Sequence, residues 1–479
     1  MREEIAHSIA KADTKGWKRI EVEFGDEFLE ISVPSECEIL HMRKMPHLAN
    51  SREEIFKTLN NPIGTPKLGE IIKSKGKPTS EVTVGITVSD ITRPVPYKGE
   101  KGILLPLLEI LEGTGIARKN IVLVVGTGMH RASTMEEKRF MFGAEVVDNY
   151  HIVDHDCEDL SSQVLAARTS KGTEVYVNKV FYSSDVKIVA GLVESHFMAG
   201  VSGGRKGVCP ALVNTTTIQR FHGVEFLEHP NATDLVLEGN PCHEEALEVA
   251  QTVGVDFLVN TSLDKRLLMT GVFAGDLSKA HLVAFEAIRE YVQVPIREPF
   301  DIVLTHAGYV GRDHYQSAKC AVSAMPAVKE RGIMVIAANN IDAEPIGSPE
   351  YKTLLHLAKI LGPDRYVSIL RHPEWLFTKD QWEPEMWGKP IRKVGEDGII
   401  YCAPHIPEEH YAIIPGISGY DCIEKEVGYS STREMAQAMY QNAVIYAVHH
   451  PRFHGRKPTI ACIAEGPYAI PTSKLQMQG

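Results

Sequence analysis

The chain has 479 residues, 43% of them hydrophobic and 24% charged, and carries a formal net charge of −11. That balance describes a globular protein of about two to four domains, long enough to bury its cores without staples. The acidic excess, with no basic run longer than a few residues, excludes a general nucleic-acid binder, which needs basic stripes against phosphates.

The amino terminus, MREEIAHSIAKADTKGW, is charged, and no apolar stretch approaches the roughly 20 residues a membrane span requires. A cytoplasmic location is expected. Eight cysteines stand at 37, 157, 209, 242, 320, 402, 422 and 462, with no C-x-x-C pair, so neither a zinc ribbon nor a redox dithiol is expected. They read as reduced, buried, small apolar residues. Cys209 lies three residues from Lys206 and takes the same packing role.

In chain order, the alternation of RIEVEF, Gly25-Asp26 and FLEISV predicts a hairpin within 18–40. Residues 51–78 read as helical and polar. VTVGITVSD is a buried-type strand ending in Ile91-Thr92-Arg93-Pro94, followed by an apolar-periodic helix over 101–111. IVLVVGTG is a second strand, with Met129-His130-Arg131 at its tip and Ser133 or Thr134 as cap of the next helix. VKIVAGLVESH, over 186–196, is a third. Asp90, His130 and His196 thus stand at strand ends, where parallel α/β sheets gather functional residues. Asn214-Thr-Thr-Thr caps a short helix that bears His222. Residues 265–293 read as mostly helical, and VPIREPFD forms a linker. A second α/β pattern follows: strand FDIVLTHAG, helix near 313–330, strand 332–339, helix 349–361, strand 366–370, then GIIYCAP and YAIIPGI. The fold class is α/β, two α/β domains with an active-site cleft between them. The expected domains are 1–293, 300–450, and a tail over 451–479 returning to the first.

The densest chemistry lies between Gly191 and His222. Ser202-Gly203-Gly204 resembles an anion-binding turn, because consecutive glycines let backbone N–H groups face a charge, and a plain tight turn reads equally well. It is not a Walker A loop, since Gly207 follows Lys206 where Ser or Thr belongs. Lys206 beside Arg205 reads either as a reactive amine with a depressed pKa or as an ordinary solvated side chain. His130, His196 and His222 match no zinc pattern, and imidazole suits nickel, copper, iron and zinc alike. Arg93, held at a strand end by Pro94, is placed to grip a carboxylate or phosphate. Tyr315, Gln316 and Lys319 open the helix after the FDIVLTHAG strand and offer donors to a small oxyanion. Trp382 reads as a pocket wall or a core residue.

Together these motifs resemble the nickel-pincer-nucleotide-dependent lactate racemase family. The resemblance runs from near Phe24 to EGPYAIP. It rests on H-x-x-A-G-x-S-G-G-R-K with His222 sixteen positions beyond Lys206, set in the order DxTRP, GxHR, YQxxK, DQWE. It implies a nickel pincer nucleotide, a pyridinium mononucleotide carrying two sulfurs, covalently attached at Lys206, with His222 as the protein's nickel ligand. It implies acid/base roles for His130 and His196. Cofactor contacts fall to Asp90, Ile91, Thr92, Arg93, Ser202, Gly203 and Gly204. Substrate contacts fall to Arg93, Tyr315, Gln316, Lys319 and Trp382. The implied reaction inverts C2 of a 2-hydroxy acid by hydride removal and return, and cofactor-synthesis enzymes are its implied partners. No nucleic acid or membrane is expected.

Ser195 and Phe197 flank His196 where the family pattern has Pro and Tyr, so the substrate is not strictly lactate; malate, a larger hydroxy acid or a sugar acid are candidates. Two other readings are a cofactor-independent Schiff-base lysine enzyme acting on a sugar phosphate, and a non-catalytic nickel-nucleotide-binding protein.

Overall fold

A computed structural model describes residues 2–424, 427–453 and 455–473 of the α/β chain. Two compact units emerge: Lys44–Tyr291, and Met1–Arg43 together with Val292–Gly479.

The unit Lys44–Tyr291 is built on a six-stranded sheet in the order Met269–Gly275, Phe257–Leu263, Val186–Leu192, Val84–Ser89, Ile121–Gly126, His151–Asp154. All neighbours are parallel except the first pair. The central strands are continuous apolar runs because helices cover both faces, as parallel sheets require. In helix Leu104–Gly113, Leu104, Leu107, Leu108 and Leu111 fall on one stripe and are all buried. Each such leucine contributes roughly 1.5–3 kcal/mol of transfer free energy. Residues 51–78 form two helices, Ser51–Asn60 and Leu68–Ser74, each with a buried stripe.

The other unit centres on a second six-stranded sheet, all parallel. Its order is Ile417–Ser418, Ile399–Cys402, Val328–Ala337, Phe300–His306, Ile460–Ile463, Glu38–Leu40. The expected hairpin pairs Lys18–Phe24 with Glu27–Val33 across Gly25-Asp26. Its inner residues Val22, Phe24, Leu29, Ile31 and Val33 join a core with Met439, Tyr440 and Val444 of helix Thr432–Val448. Of the tail at 451–479, residues 454 and 474–479 lie outside the described residues; Ile470–Ser473 pairs in parallel with Gln293–Ile296.

Two elements differ from expectation. Residues 265–293 are not mostly helical: Met269–Gly275 is an antiparallel strand and the helix is Lys279–Val292. MTGVFAG carries the β-branched and aromatic residues of an edge strand, and a bulge at Ser262/Leu263 blurs its alternation. Residues 366–370 are the end of helix Pro363–Leu370, not a strand. Gly362 at φ 75° and Pro363 at the first helical position start it, and burial of Tyr366, Val367 and Leu370 overrides the β-propensity of YVSIL.

Candidate active site

Strand Val84–Ser89 lies between Ile121–Gly126 and Val186–Leu192. The chain runs outward from it through Ile121–Gly126 to His151–Asp154, then returns to its other side. That reversal is a topological switch point, and ligands of open α/β sheets bind beyond the strand ends there. Asp90, His130 and His196 each follow one of these three adjacent strands.

Asp90 is buried. Its Oδ1 accepts from the Thr92 amide at 3.1 Å and the Thr92 hydroxyl at 2.6 Å, and its Oδ2 lies 2.6 Å from Nδ1 of His130. Burial pushes its carboxyl up, but the His130 bond and charge and the Thr92 bonds outweigh it and hold Asp90 below the usual carboxylate range. The His130 ring is half exposed. His196 is buried; its Nδ1 accepts from the amides of Met198 at 3.2 Å and Ala199 at 3.3 Å, and its ring stacks on Phe197 at 5.4 Å. Nη1 of Arg93 stands 3.5 Å from Oε1 of Glu194, and Ile91 is exposed.

The Ser-Gly-Gly turn is committed within the protein. The Ser202 amide donates to Glu194 O at 2.9 Å, its hydroxyl to Leu192 O at 2.9 Å, and the Gly204 amide to Asn260 Oδ1 at 2.9 Å. Two of the three amides are therefore not turned to an anion. The glycines answer to close packing: both have positive φ, and a Cβ on Gly204 would lie 2.5 Å from the His281 ring. The turn is a rigid mount for Arg205 and Lys206. The Arg205 guanidinium is almost fully buried and donates to Ala199 O at 2.7 Å and Val201 O at 2.9 Å, with His281 Nε2 2.9 Å from its Nη1.

Lys206 projects its amine over the Phe221 ring at 4.7 Å. Burial, then the charges of Arg93 and Arg205, pull its pKa down to about 7. Phe221 also meets the His222 ring edge-on, centroids 4.8 Å apart. Asn214 caps helix Thr215–Phe221 through the Thr217 amide, and His222 is the C-cap residue. Burial, then the charges of Lys206 and His130, hold His222 well below the ordinary histidine range, so it is neutral.

In the other unit, Asp313 caps helix His314–Ala324 by accepting from the Gln316 amide at 2.7 Å, and the helix carries Tyr315, Gln316 and Lys319. The Trp382 indole donates to Tyr315 Oη at 2.8 Å. Burial pushes Asp313 up to about 7, against the Gln316 bond, and Glu383 well above its ordinary range, with Lys319 drawing both back.

Several supporting residues were not read from the sequence: Asn260, His281, Arg205 as a peg, Glu194 beside Arg93, and the carboxylates near Lys319. Asn260 alone left a signal, a polar residue inside the apolar run FLVNTSL. The others act through contacts that have no spacing in the sequence.

Among the described residues no helix is long and apolar enough to cross a membrane. Residues 24–234 match the family model described as the lactate racemase N-terminal domain. The lactate racemase of Thermoanaerobacterium thermosaccharolyticum is 33% identical over 331 residues, covering 67% of this chain and 75% of that one. The lactate racemase of Lactiplantibacillus plantarum is 32% identical over 342 residues, covering 71% and 77%. The lactate racemase apoprotein structure from T. thermosaccharolyticum superposes with a TM-score of 0.80 at 26% identity, over 95% of this chain and all of that one. Fold and likeness together define an α/β isomerase. The chain belongs to the lactate racemase family.

Proposed function

We propose that the protein is a racemase or epimerase that inverts C2 of a 2-hydroxy acid by reversible hydride transfer, using a nickel pincer nucleotide joined to Lys206. One observation carries the reading: Lys206 and His222 share Phe221 as neighbour, and both are drawn toward their uncharged forms. An amine must be neutral to be acylated, and an imidazole must be neutral to bind a metal. His222, buried, neutral and packed on the same Phe221 ring as Lys206, would be the protein's share of the coordination. The donor chemistry of the site therefore fits this cofactor.

When bound, the cofactor supplies the hydride acceptor and donor, the step no side chain can perform. The chain's own residues orient substrate and move a proton. His130 and His196 serve the hydroxyl proton on the two faces of C2, where near-neutral imidazoles suit the task. Arg93 and Lys319 hold the carboxylate and stabilise charge on oxygen. Tyr315 and Gln316 offer donors, and Trp382 is the wall that fixes Tyr315. The loop Asp90, Ile91, Thr92 and Arg93 and the turn Ser202–Gly204 belong to the cofactor side, the turn as mount for Lys206. Relative to the family pattern, Phe197 lacks a phenolic hydroxyl beside His196 and Ser195 lacks the constraint of a proline, which favours a substrate other than strictly lactate: malate, a larger hydroxy acid or a sugar acid.

Intact mass of protein made with the cofactor-synthesis enzymes tests this. A Lys206 adduct, about one nickel per chain and loss of optical activity across a hydroxy-acid panel are expected. An unmodified, metal-free protein that still racemises overturns the reading. A Schiff-base enzyme would also use a neutral amine at Lys206, and borohydride trapping of a carbonyl substrate there would favour it instead.

A further inference from the structure

The two imidazoles of the proposed acid/base pair are held by unlike partners, and the difference fixes where each carries its proton. The two roles assigned to these rings rest on the racemase function proposed for the site and refine it. The Asp90 carboxylate is acceptor-only while ionised, and its Oδ2 is 2.6 Å from Nδ1 of His130. The proton of that bond therefore resides on Nδ1, and Nε2 of His130 keeps its lone pair. Nδ1 of His196 accepts from the amide N–H groups of Met198 and Ala199, at 3.2 and 3.3 Å. An amide N–H only donates, so this Nδ1 keeps the lone pair, and a neutral His196 carries its proton on Nε2.

We propose that His130 and His196 rest in opposite tautomers and begin the reaction in different roles. His130, with Asp90 as its positioning residue, is the resting base: the hydroxyl proton passes to Nε2, the oxygen keeps the bonding pair, and the imidazolium formed faces the Asp90 carboxylate. His196 offers an Nε2–H and acts first as hydrogen-bond donor to the substrate oxygen. To take a proton on Nε2 while one remains there is impossible, and an imidazolium would set an Nδ1–H against two backbone N–H groups. His196 therefore serves as base only after it leaves the Met198 and Ala199 amides. The arrangement resembles the general division between a carboxylate-oriented base and a neutral electrophilic imidazole.

The equilibrium constant between enantiomers is unity, so kcat/KM must be equal in the two directions. The inequality of the histidines can show only in kcat and KM taken separately, lower together for the enantiomer that His196 must deprotonate.

The direct test needs no cofactor. Full-length protein labelled with nitrogen-15 histidine gives each ring's tautomer from long-range proton–nitrogen correlations at a pH where both rings are neutral. His130→Gln and His196→Gln assign the two rings by difference. We expect the proton on Nδ1 in His130 and on Nε2 in His196. Asp90→Asn should shift His130 toward the Nε2–H form and leave His196 unchanged, and Asp90→Glu should restore the wild-type pattern. Like tautomers in the two rings, or a His130 signal indifferent to Asp90→Asn, overturns the proposal. In loaded enzyme Asp90→Asn should lower kcat by about 10³–10⁴, as loss of the orienting carboxylate does in a serine protease triad. Opposite tautomers in a protein that never racemises would sustain the assignment and overturn the reaction; racemisation with like tautomers would do the reverse.

Discussion

Replacing Lys206 by Met should make the cofactor-free protein more stable, and only below the ordinary lysine pKa. In the unfolded chain the amine titrates near 10.5; in the fold, burial and the charges of Arg93 and Arg205 bring it down to about 7. At pH 7 the unfolded chain therefore holds a proton that the fold half releases, and the mismatch costs at most about 4 kcal/mol. Lys206 is not fully shielded from water, and screening reduces this to about 1–2 kcal/mol. The sign follows from proton counts. Below pH 7 both states are protonated and the cost is constant. Between pH 7 and 10.5 the unfolded state binds more protons, so wild-type stability rises with pH, and above that window the cost is gone. Methionine keeps the contact with Phe221 without the charge. Urea unfolding of both proteins at about pH 7 and about pH 10 should show a higher midpoint for Lys206→Met at the lower pH, with the gap closing at the higher one. A variant that is less stable at neutral pH, or a gap that ignores pH, would refute the depressed amine and remove the main support for a tether at this position.

Gly204→Ala should lower the melting temperature sharply, because φ is +53° and the new methyl would meet the His281 ring at 2.5 Å; a cost above about 2 kcal/mol is expected by calorimetry. Asn260→Ala leaves the Gly204 amide buried without its acceptor at 2.9 Å and should cost about 1–3 kcal/mol, with a lower yield of the Lys206 adduct by intact mass. Trp382→Phe removes the 2.8 Å bond to Tyr315 Oη while keeping an aromatic ring. Worth about 0.5–1.5 kcal/mol, that loss should raise KM about 2- to 10-fold with kcat nearly unchanged, as steady-state rates would record.

The apolar runs made the two parallel sheets legible, because a strand covered on both faces needs little else: VTVGITVSD and IVLVVGTG are strands wherever a helix can cover them. Caps were legible for the same local reason, as Asn214 before Thr215–Phe221 illustrates. Legibility failed where a distant partner decides. Met269–Gly275 needs Phe257–Leu263 to be a strand, and YVSIL becomes helical because Gly362-Pro363 starts a helix whose stripe finds a core. The candidate site divides in the same way. Asp90, His130, His196, Lys206 and His222 were readable as residue types at strand ends and beside a turn. That the Ser-Gly-Gly amides serve Glu194 and Asn260, and that Asp90 is spent on His130, depends on strands far apart in sequence.

Arg205 joins the turn that carries Lys206 to the hairpin that carries His196. Among the described residues no carboxylate pairs with it, and its partners are two carbonyls and a histidine. A buried cation without a counter-charge is expensive, and a hydrophobic residue would fill the same volume at less cost. Two consequences make the cost intelligible. Its fork grips Ala199 and Val201, and Gly200–Val201 is the strand that pairs with Ser195–His196, so one side chain fixes the His196 hairpin to the segment bearing Lys206. Its uncompensated charge also opposes protonation of its neighbours: His243 is drawn to about 3 and His281 well below its ordinary range, each by burial and then by Arg205, and Lys206 is drawn to about 7 by burial, then Arg93, then Arg205. A lysine at 205 would supply the charge without the two-carbonyl grip, and a methionine neither. In SGGRK the arginine thus spends stability to fix the mount of the lysine, and adds its charge to burial and to Arg93 in keeping Lys206 an amine.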